Sequence, residues 1–75
     1  FNPETEINYG IPKEGAVKIS VYDAIGSEVA VLVNEFKHAG NHTVKFNSEG
    51  LSSGIYFYRI SSGSYTETKK MSLIK

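Results

Sequence analysis

The sequence predicts an all-β fold, specifically a Greek-key β-sandwich of antiparallel strands. Short stretches of alternating apolar and polar residues are separated by turn-forming residues about every 8–12 positions, and no stretch strongly favours a helix. In residues 51–60, Leu51, Gly54 and Tyr56 have the spacing of a tyrosine corner. In that device a Tyr hydroxyl donates to upstream backbone and fixes a crossing between two sheets. The alternative is an ordinary strand after a Ser-rich loop.

Length and composition limit the chain to a single small domain. It has 75 residues and no Cys, so no disulfide stabilises it. A chain of this size buries only about 60–65% of its unfolded surface, so its stability is marginal. We expect that stability to come from a β-rich core, with any remainder from a covalent parent or neighbouring subunits. Because the sequence starts at Phe1 and not at Met, we expect residues 1–75 to be a single domain excised from something larger, as its tail end.

The charge is balanced overall but uneven along the chain. Residues 1–15 carry three Glu against one Lys, whereas residues 51–75 carry four basic residues against one Glu. This excess of positive charge is too small for the basic stripe of a nucleic-acid-binding protein, so we expect no nucleic-acid partner. No apolar run approaches the roughly 18 residues that a membrane-spanning helix needs.

The first two strands are predicted from alternation. Residues 5–11 alternate weakly and form the first strand, and Pro12 either ends it or marks it as an edge, because proline has no backbone N–H to donate. Residues 16–22 alternate most clearly and form the second strand. In the first strand Ile7, Tyr9 and Ile11 share one side, and in the second Val17, Ile19 and Val21 are predicted to face inward.

A tight hairpin follows the second strand. Asp23 is predicted to accept hydrogen bonds from its own backbone, and Gly26 to adopt the left-handed region. Residues 28–33 form the return strand. Their unbroken apolar run also suits a helix, but β-branched residues dominate and the run is short for a helix.

The middle of the chain is predicted to contain a loop and a further strand. Residues 34–41 are expected to form the loop, in which Phe36 docks under the sandwich as a short seventh strand. Residues 42–47 form the next strand, with Val44 and Phe46 facing inward.

The last two strands form a predicted hairpin. After a crossover at residues 47–54, alternation predicts a strand with Tyr56, Tyr58 and Ile60 facing inward. Residues 61–64 form the hairpin turn, and residues 65–74 form the final strand.

The register of this hairpin determines the inner face of the final strand. If Arg59 lies opposite Glu67, then Met71 and Leu73 point away from the core. One extra residue, a β-bulge, is therefore predicted at residues 69–70 to return them to the core.

No group of residues predicts a catalytic or metal site. His38 and His42 are four residues apart outside a helix, and no third ligand is near, so we expect surface histidines. The acids are scattered over different turns, and the Ser residues have no basic partner. We therefore expect no enzyme activity and no cofactor.

Five stretches, in this order and at these spacings, resemble the C-terminal sorting domains of proteins exported by the type IX secretion system. They are FNPET at residues 1–5, VYDAIGSEV at 21–29, AGNH at 39–42, LSSGIYFYR at 51–59 and TKKMSLIK at 68–75. The resemblance covers essentially the whole chain. It implies an immunoglobulin-like sandwich of about seven strands that directs a cargo protein through the outer membrane.

The resemblance also implies partners and a site. The partners are an upstream cargo domain in the same chain, the outer-membrane translocon and a sortase-like peptidase. The protein would reach the cell surface or the medium through the periplasm. Carried over residue by residue, the recognition site comprises Gly54, Tyr56, Lys69, Lys70, Met71, Leu73, Ile74 and Lys75.

Two other functions remain open at this point. An open edge strand can pair with a copy of the same chain, which suits a structural or assembly module of a surface protein or filament. A carbohydrate-binding module is the third possibility, and an exposed coplanar pair among Tyr22, Phe57 and Tyr65 would favour it.

Overall fold

The computed structural model describes residues 4–74, which form six β-strands in two antiparallel sheets. The all-β, immunoglobulin-like Greek-key sandwich is confirmed, with six strands instead of about seven. The predicted roles of Phe1-Asn2-Pro3 and of Lys75 lie outside the described residues. The strands are β1 (Glu4–Ile11), β2 (Gly15–Tyr22), β3 (Glu28–Lys37), β4 (Gly40–Asn47), β5 (Gly54–Ser62) and β6 (Tyr65–Leu73).

A two-stranded sheet covers a four-stranded sheet. The larger sheet has the order β3-β2-β5-β6, and the smaller one pairs β1 with β4. The chain leaves the larger sheet after β3, forms β4 in the smaller sheet and returns as β5 beside β2. This crossing is the Greek-key connection that the sequence predicted.

The core consists of the inward residues of both sheets. Alternation places them on one face of each strand, and burial of each large apolar side chain contributes about 1.5–3 kcal/mol. Val44 and Tyr58, also predicted to face inward, are half-buried and pack against both halves of the core. The buried apolar residues are Ile7, Tyr9, Ile11, Val17, Ile19, Val21, Val33, Phe46, Tyr56, Ile60 and Leu73.

The predicted loop at residues 34–41 is wrong for most of its length. β3 continues to Lys37, and only two residues separate it from Gly40 at the start of β4. Phe36 lies within β3 opposite Ala16 and is 56% exposed, so it forms no seventh strand in the described part of the chain. The polar residues here resemble a loop because β3 is an edge strand with one side in solvent.

Two β-bulges interrupt the pairing of β2 with β3. Ile19 pairs with Val33 while Ser20 pairs with Val31, so Leu32 is an extra residue on β3. A second shift between Val21 and Tyr22 leaves one more unpaired residue on β3. These extra residues account for the unbroken apolar run of β3, because each bulge interrupts the strict alternation of faces.

The β-bulge predicted in β6 is wrong. Arg59 pairs with Thr68, not with Glu67, and the register is regular along the whole hairpin. The turn contains only two residues, and its first, Gly63, has a φ of 60°. A shift of one residue exchanges the two faces of a strand, so Met71 and Leu73 face the core without a bulge.

Candidate functional site

The predicted tyrosine corner is present. The Tyr56 hydroxyl donates a 2.7 Å hydrogen bond to the carbonyl oxygen of Ser52, four residues upstream. The Tyr56 side chain is only 7% exposed and packs in the core. Gly54, between the two, has a φ of 153°, which L side chains rarely adopt. The corner therefore fixes the path by which the chain enters β5.

The predicted recognition residues of β6 lie against this corner. Leu73 pairs with Gly54, and Met71 pairs with Tyr56. Leu73 is 2% exposed and Met71 is half-buried, and both belong to the same apolar cluster as Tyr56. The structure thus brings together two segments that the sequence separates.

Three further predicted recognition residues, Lys69, Lys70 and Ile74, are accessible from outside, whereas Lys75 lies outside the described residues. Lys69 and Lys70 are exposed and, as neighbours in a strand, point to opposite faces of the sheet. The ammonium group of Lys69 lies 3.4 Å from the carboxylate of Glu67. Ile74 follows the last paired residue of β6 and is 66% exposed.

Two exposed isoleucines at the same end were not predicted. Ile25 is 88% exposed in the β2–β3 turn, and Ile55 is 39% exposed at the start of β5. With Ser53 and Gly54 they line a shallow depression of about 280 Å³. The available signal was an isoleucine between Asp23 and Gly26, because a turn places its central side chains in solvent.

The β2–β3 turn is ordered by Asp23, as predicted. Its carboxylate accepts hydrogen bonds from the backbone N–H groups of Ile25, at 3.1 Å, and Ser27, at 2.9 Å. Its carbonyl accepts from the N–H of Gly26, which has a positive φ of 91°. Ile25 is consequently displayed on a hydrogen-bonded turn.

The two histidines lie at the opposite end of the sandwich. A ring nitrogen of His42 is 2.7 Å from the carbonyl oxygen of His38, and the His42 ring stacks on Tyr9 at 5.4 Å. His38 is exposed, with Nδ1 3.4 Å from the Glu14 carboxylate. No three metal-ligating side chains converge anywhere within residues 4–74.

The aromatic residues considered for sugar binding do not form one platform. Tyr22 and Phe57 are cross-strand partners, and the Arg59 guanidinium lies 5.3 Å from the centre of the Tyr22 ring. Tyr65 belongs to the inner face of β6, where its hydroxyl donates to Glu67 at 3.1 Å. This hydrogen bond raises the pKa of Tyr65 above its usual value of 10.0.

These features define a small immunoglobulin-like sandwich in which a tyrosine corner and a terminal strand meet at one end. Throughout residues 4–74, every buried side-chain nitrogen and oxygen atom has a hydrogen-bond partner. No helix within those residues is long and apolar enough to cross a membrane.

Comparison with known protein families identifies the family to which the chain belongs. A family model described as "Secretion system C-terminal sorting domain" matches residues 2–75, nearly the whole chain. The chain therefore belongs to the C-terminal sorting domains of type IX secretion. Comparisons with curated proteins and with solved structures gave no match.

Family membership gives the general function. The chain is a sorting module through which the type IX system exports a cargo protein to the cell surface or the medium. Domains of this family are in general non-catalytic signals at the C-terminus of their cargo. The predictions of family, function and localisation from the sequence are confirmed.

Proposed function

We propose that the translocon reads the end of the β5–β6 hairpin as the sorting address. The observation that carries this proposal is the pairing of Gly54 with Leu73 and of Tyr56 with Met71 beside the corner. This pairing brings two segments of the family pattern side by side in the sheet. The proposed residues are Gly54, Tyr56, Lys69, Lys70, Met71, Leu73, Ile74 and Lys75.

The proposed residues divide into two groups with different tasks. The corner residues and the two apolar residues of β6 anchor the strand, because Gly54 pairs with Leu73 and the other side chains belong to one apolar cluster. Lys69, Lys70 and Ile74 are exposed and are therefore free to contact a receptor. Lys75 joins this second group on the basis of sequence alone.

The partners follow from this division of tasks. The outer-membrane translocon binds the displayed residues, and a sortase-like peptidase then separates the domain from the cargo that precedes it in the chain. The domain itself forms and breaks no bond. Residues 1–75 act as a single β-sandwich domain at the C-terminus of a secreted protein.

An export assay tests the address. The chain is fused behind a reporter directed to the periplasm of a type IX-competent cell, and Lys69→Ala and Lys70→Ala are combined with deletion of Lys75. The matched control is Lys13→Ala with Lys45→Ala, because both of these lysines are exposed and lie outside β5 and β6. Removal of each of these surface charges should lower the free energy of unfolding by about 0.5 kcal/mol or less, so we expect both variants to fold.

We expect the control to reach the cell surface and the terminal variant to stay folded in the periplasm. Surface exposure of the terminal variant at the parent's level would contradict the role of the basic residues. Retention of the unchanged fusion would contradict the sorting role of this chain as a whole.

Assembly by strand addition is the second candidate. The pairing of β1 with β4 is regular along both strands, and each has a single hydrogen-bonded neighbour in the described sheets. Regular edge strands can pair with another chain. Sedimentation of the purified chain distinguishes the candidates, because growth of polymers with concentration supports assembly and a constant monomer contradicts it.

A further inference from the structure

Three isoleucines, called here the isoleucine tip, are exposed at one end of the sandwich. They are Ile25, Ile55 and Ile74, which are 88%, 39% and 66% exposed. They come from the β2–β3 turn, the start of β5 and the residue after β6. Exposed apolar residues that cluster, unlike isolated ones, mark interaction sites.

The fold brings these three segments to the same place. Ile25 and Ile55 line one depression of about 280 Å³ together with Gly54. Ile74 directly follows Leu73, whose paired residue is Gly54. The three isoleucines therefore surround the point at which the corner and the terminal strand meet.

The side chain of Ile25 takes no part in the hydrogen bonds that hold the turn. The hydrogen bonds of the turn involve Asp23 and the backbone of Ile25, Gly26 and Ser27. A polar side chain at position 25 would preserve all of them, and such positions favour polar residues. An isoleucine held there by an ordered turn therefore requires another explanation, and a partner that contacts it provides one.

Charge indicates which kind of partner fits the tip. Lys70 lies on the β6 side beside Lys69, which pairs with Glu67 at 3.4 Å. Asp23 lies in the β2–β3 turn, and Glu28 directly after the turn pairs with Lys18 at 3.9 Å. An anionic lipid surface would repel the side of the β2–β3 turn, so charges of both signs favour a protein. Three isoleucines also fall far short of the roughly 800 Å² per partner that a stable dimer buries.

We propose that the isoleucine tip is a contact surface for the outer-membrane receptor of the sorting domain. This inference rests on the proposed function and adds Ile25 and Ile55, which precede the terminal strand. The receptor offers an apolar recess bordered by an acidic group facing β6 and a basic group facing the β2–β3 turn. The contact is brief because the buried area is small.

Two pairs of substitutions test the tip in the same export assay. The tip variant is Ile25→Ser with Ile55→Thr, and the single variant Ile25→Ser is made in parallel. The matched control is Val31→Thr with Phe36→Ser, since these β3 residues are 46% and 56% exposed and are not part of the tip. Thermal melting of the purified chains checks that each variant folds.

We expect export of the tip variant to fall about tenfold or more, because each lost isoleucine contact weakens binding severalfold. The control should be exported like the parent. Equal export of tip variant and parent overturns the inference, and so does an equal loss in tip variant and control. If the double variant fails to fold, the single variant at the exposed turn decides the question.

Failure of the proposed function has a different outcome. In that case either the variant with Lys69→Ala, Lys70→Ala and Lys75 deleted is exported like the parent, or the unchanged fusion already stays in the periplasm. Both results are obtained before any isoleucine is altered. A flotation assay with phosphatidylglycerol vesicles tests the other class of partner. Flotation of the parent chain that is lost in Ile25→Ser would assign the tip to a lipid surface and overturn the protein partner.

Discussion

The two hairpins of the four-stranded sheet differ in the length of their turns and in the regularity of their strand pairing. β2 and β3 are joined by five residues, Asp23–Ser27, and their register shifts twice. β5 and β6 are joined by two residues and keep one register throughout. Both hairpins contribute to the core, although one of them changes register and the other does not.

The difference shows how an edge strand combines core packing with exposure to solvent. The shifts in β3 allow Leu32 and Val33, consecutive in sequence, both to contact the core, while Val31 stays 46% exposed. In β6 strict alternation puts Met71 and Leu73 inside and Lys70 outside. A bulged strand can therefore be apolar on both faces, whereas in a regular strand each residue keeps the face that alternation assigns to it.

The largest expected effect tests the regular register of β6. Leu73→Ala should lower the free energy of unfolding by about 2–5 kcal/mol, because it removes a side chain that is 2% exposed from the core. Urea denaturation followed by circular dichroism measures the change. If the hairpin carried a register in which Leu73 faced solvent, the substitution would cost little.

The control for this comparison lies in the other hairpin. Val29 is the residue that the second register shift leaves unpaired in β3, and it is 36% exposed. Val29→Ala should change the free energy of unfolding by about 0.5 kcal/mol or less. Equal losses in the two variants would remove the distinction between the hairpins.

The sequence was sufficient to predict six strands and the inward residues of β2, β4 and β5. Alternation identified Val17, Ile19 and Val21, and all three are buried because β2 is a central strand. The spacing from Leu51 to Tyr56 predicted the corner hydrogen bond to the backbone. Local rules suffice where one face is buried and the turn chemistry is explicit.

The sequence-based prediction failed where an error of one residue in strand register changes the face assigned to every later residue of the strand. An error of one residue in the assumed register of Arg59 produced the predicted bulge in β6, where none exists. The two bulges of β3 were not predicted. The pair Gly63-Ser64 is a known two-residue hairpin signal and would have corrected that register. The isoleucine tip escaped prediction because its members meet only after folding.

The next prediction concerns what anchors each hairpin. Asp23 orders the closed end of β2–β3, whereas Tyr56 secures the open end of β5–β6. Tyr56→Phe should lower the free energy of unfolding by about 1 kcal/mol, because the Ser52 carbonyl loses its partner. Tyr58→Phe, half-buried on the same face, is the control. Identical urea midpoints in Tyr56→Phe and the parent would show that the hydroxyl bond contributes nothing.

The smallest effect is a pH dependence at the closed end of β5–β6. Donation to Glu67 raises the pKa of Tyr65, so the bond stabilises the fold below the ordinary tyrosine pKa near 10.0. This stabilisation is lost as the pH rises through the folded-state pKa. Glu67→Gln should return the Tyr65 midpoint toward its usual value, measured by NMR titration of the ring.

Glu35→Gln provides the comparison in the first hairpin. Glu35 contacts Lys37 at 3.0 Å and raises the pKa of that ammonium group, without contact to Tyr65. The Tyr65 midpoint should therefore stay unchanged in Glu35→Gln. A Tyr65 midpoint that moves equally in both variants would contradict a local effect of Glu67.

The pairing of β1 with β4 has a consequence for the order of folding. Glu4 pairs with Asn47 and Ile11 with Gly40, so every contact of the covering sheet closes a long loop of chain. The two hairpins of the larger sheet join neighbours in sequence and can form much sooner. We expect the covering sheet, like the equally long-range pairing of β2 with β5, to form after the hairpins. The inner face of the hairpins then stays open to water, or to a chaperone, until β1 arrives.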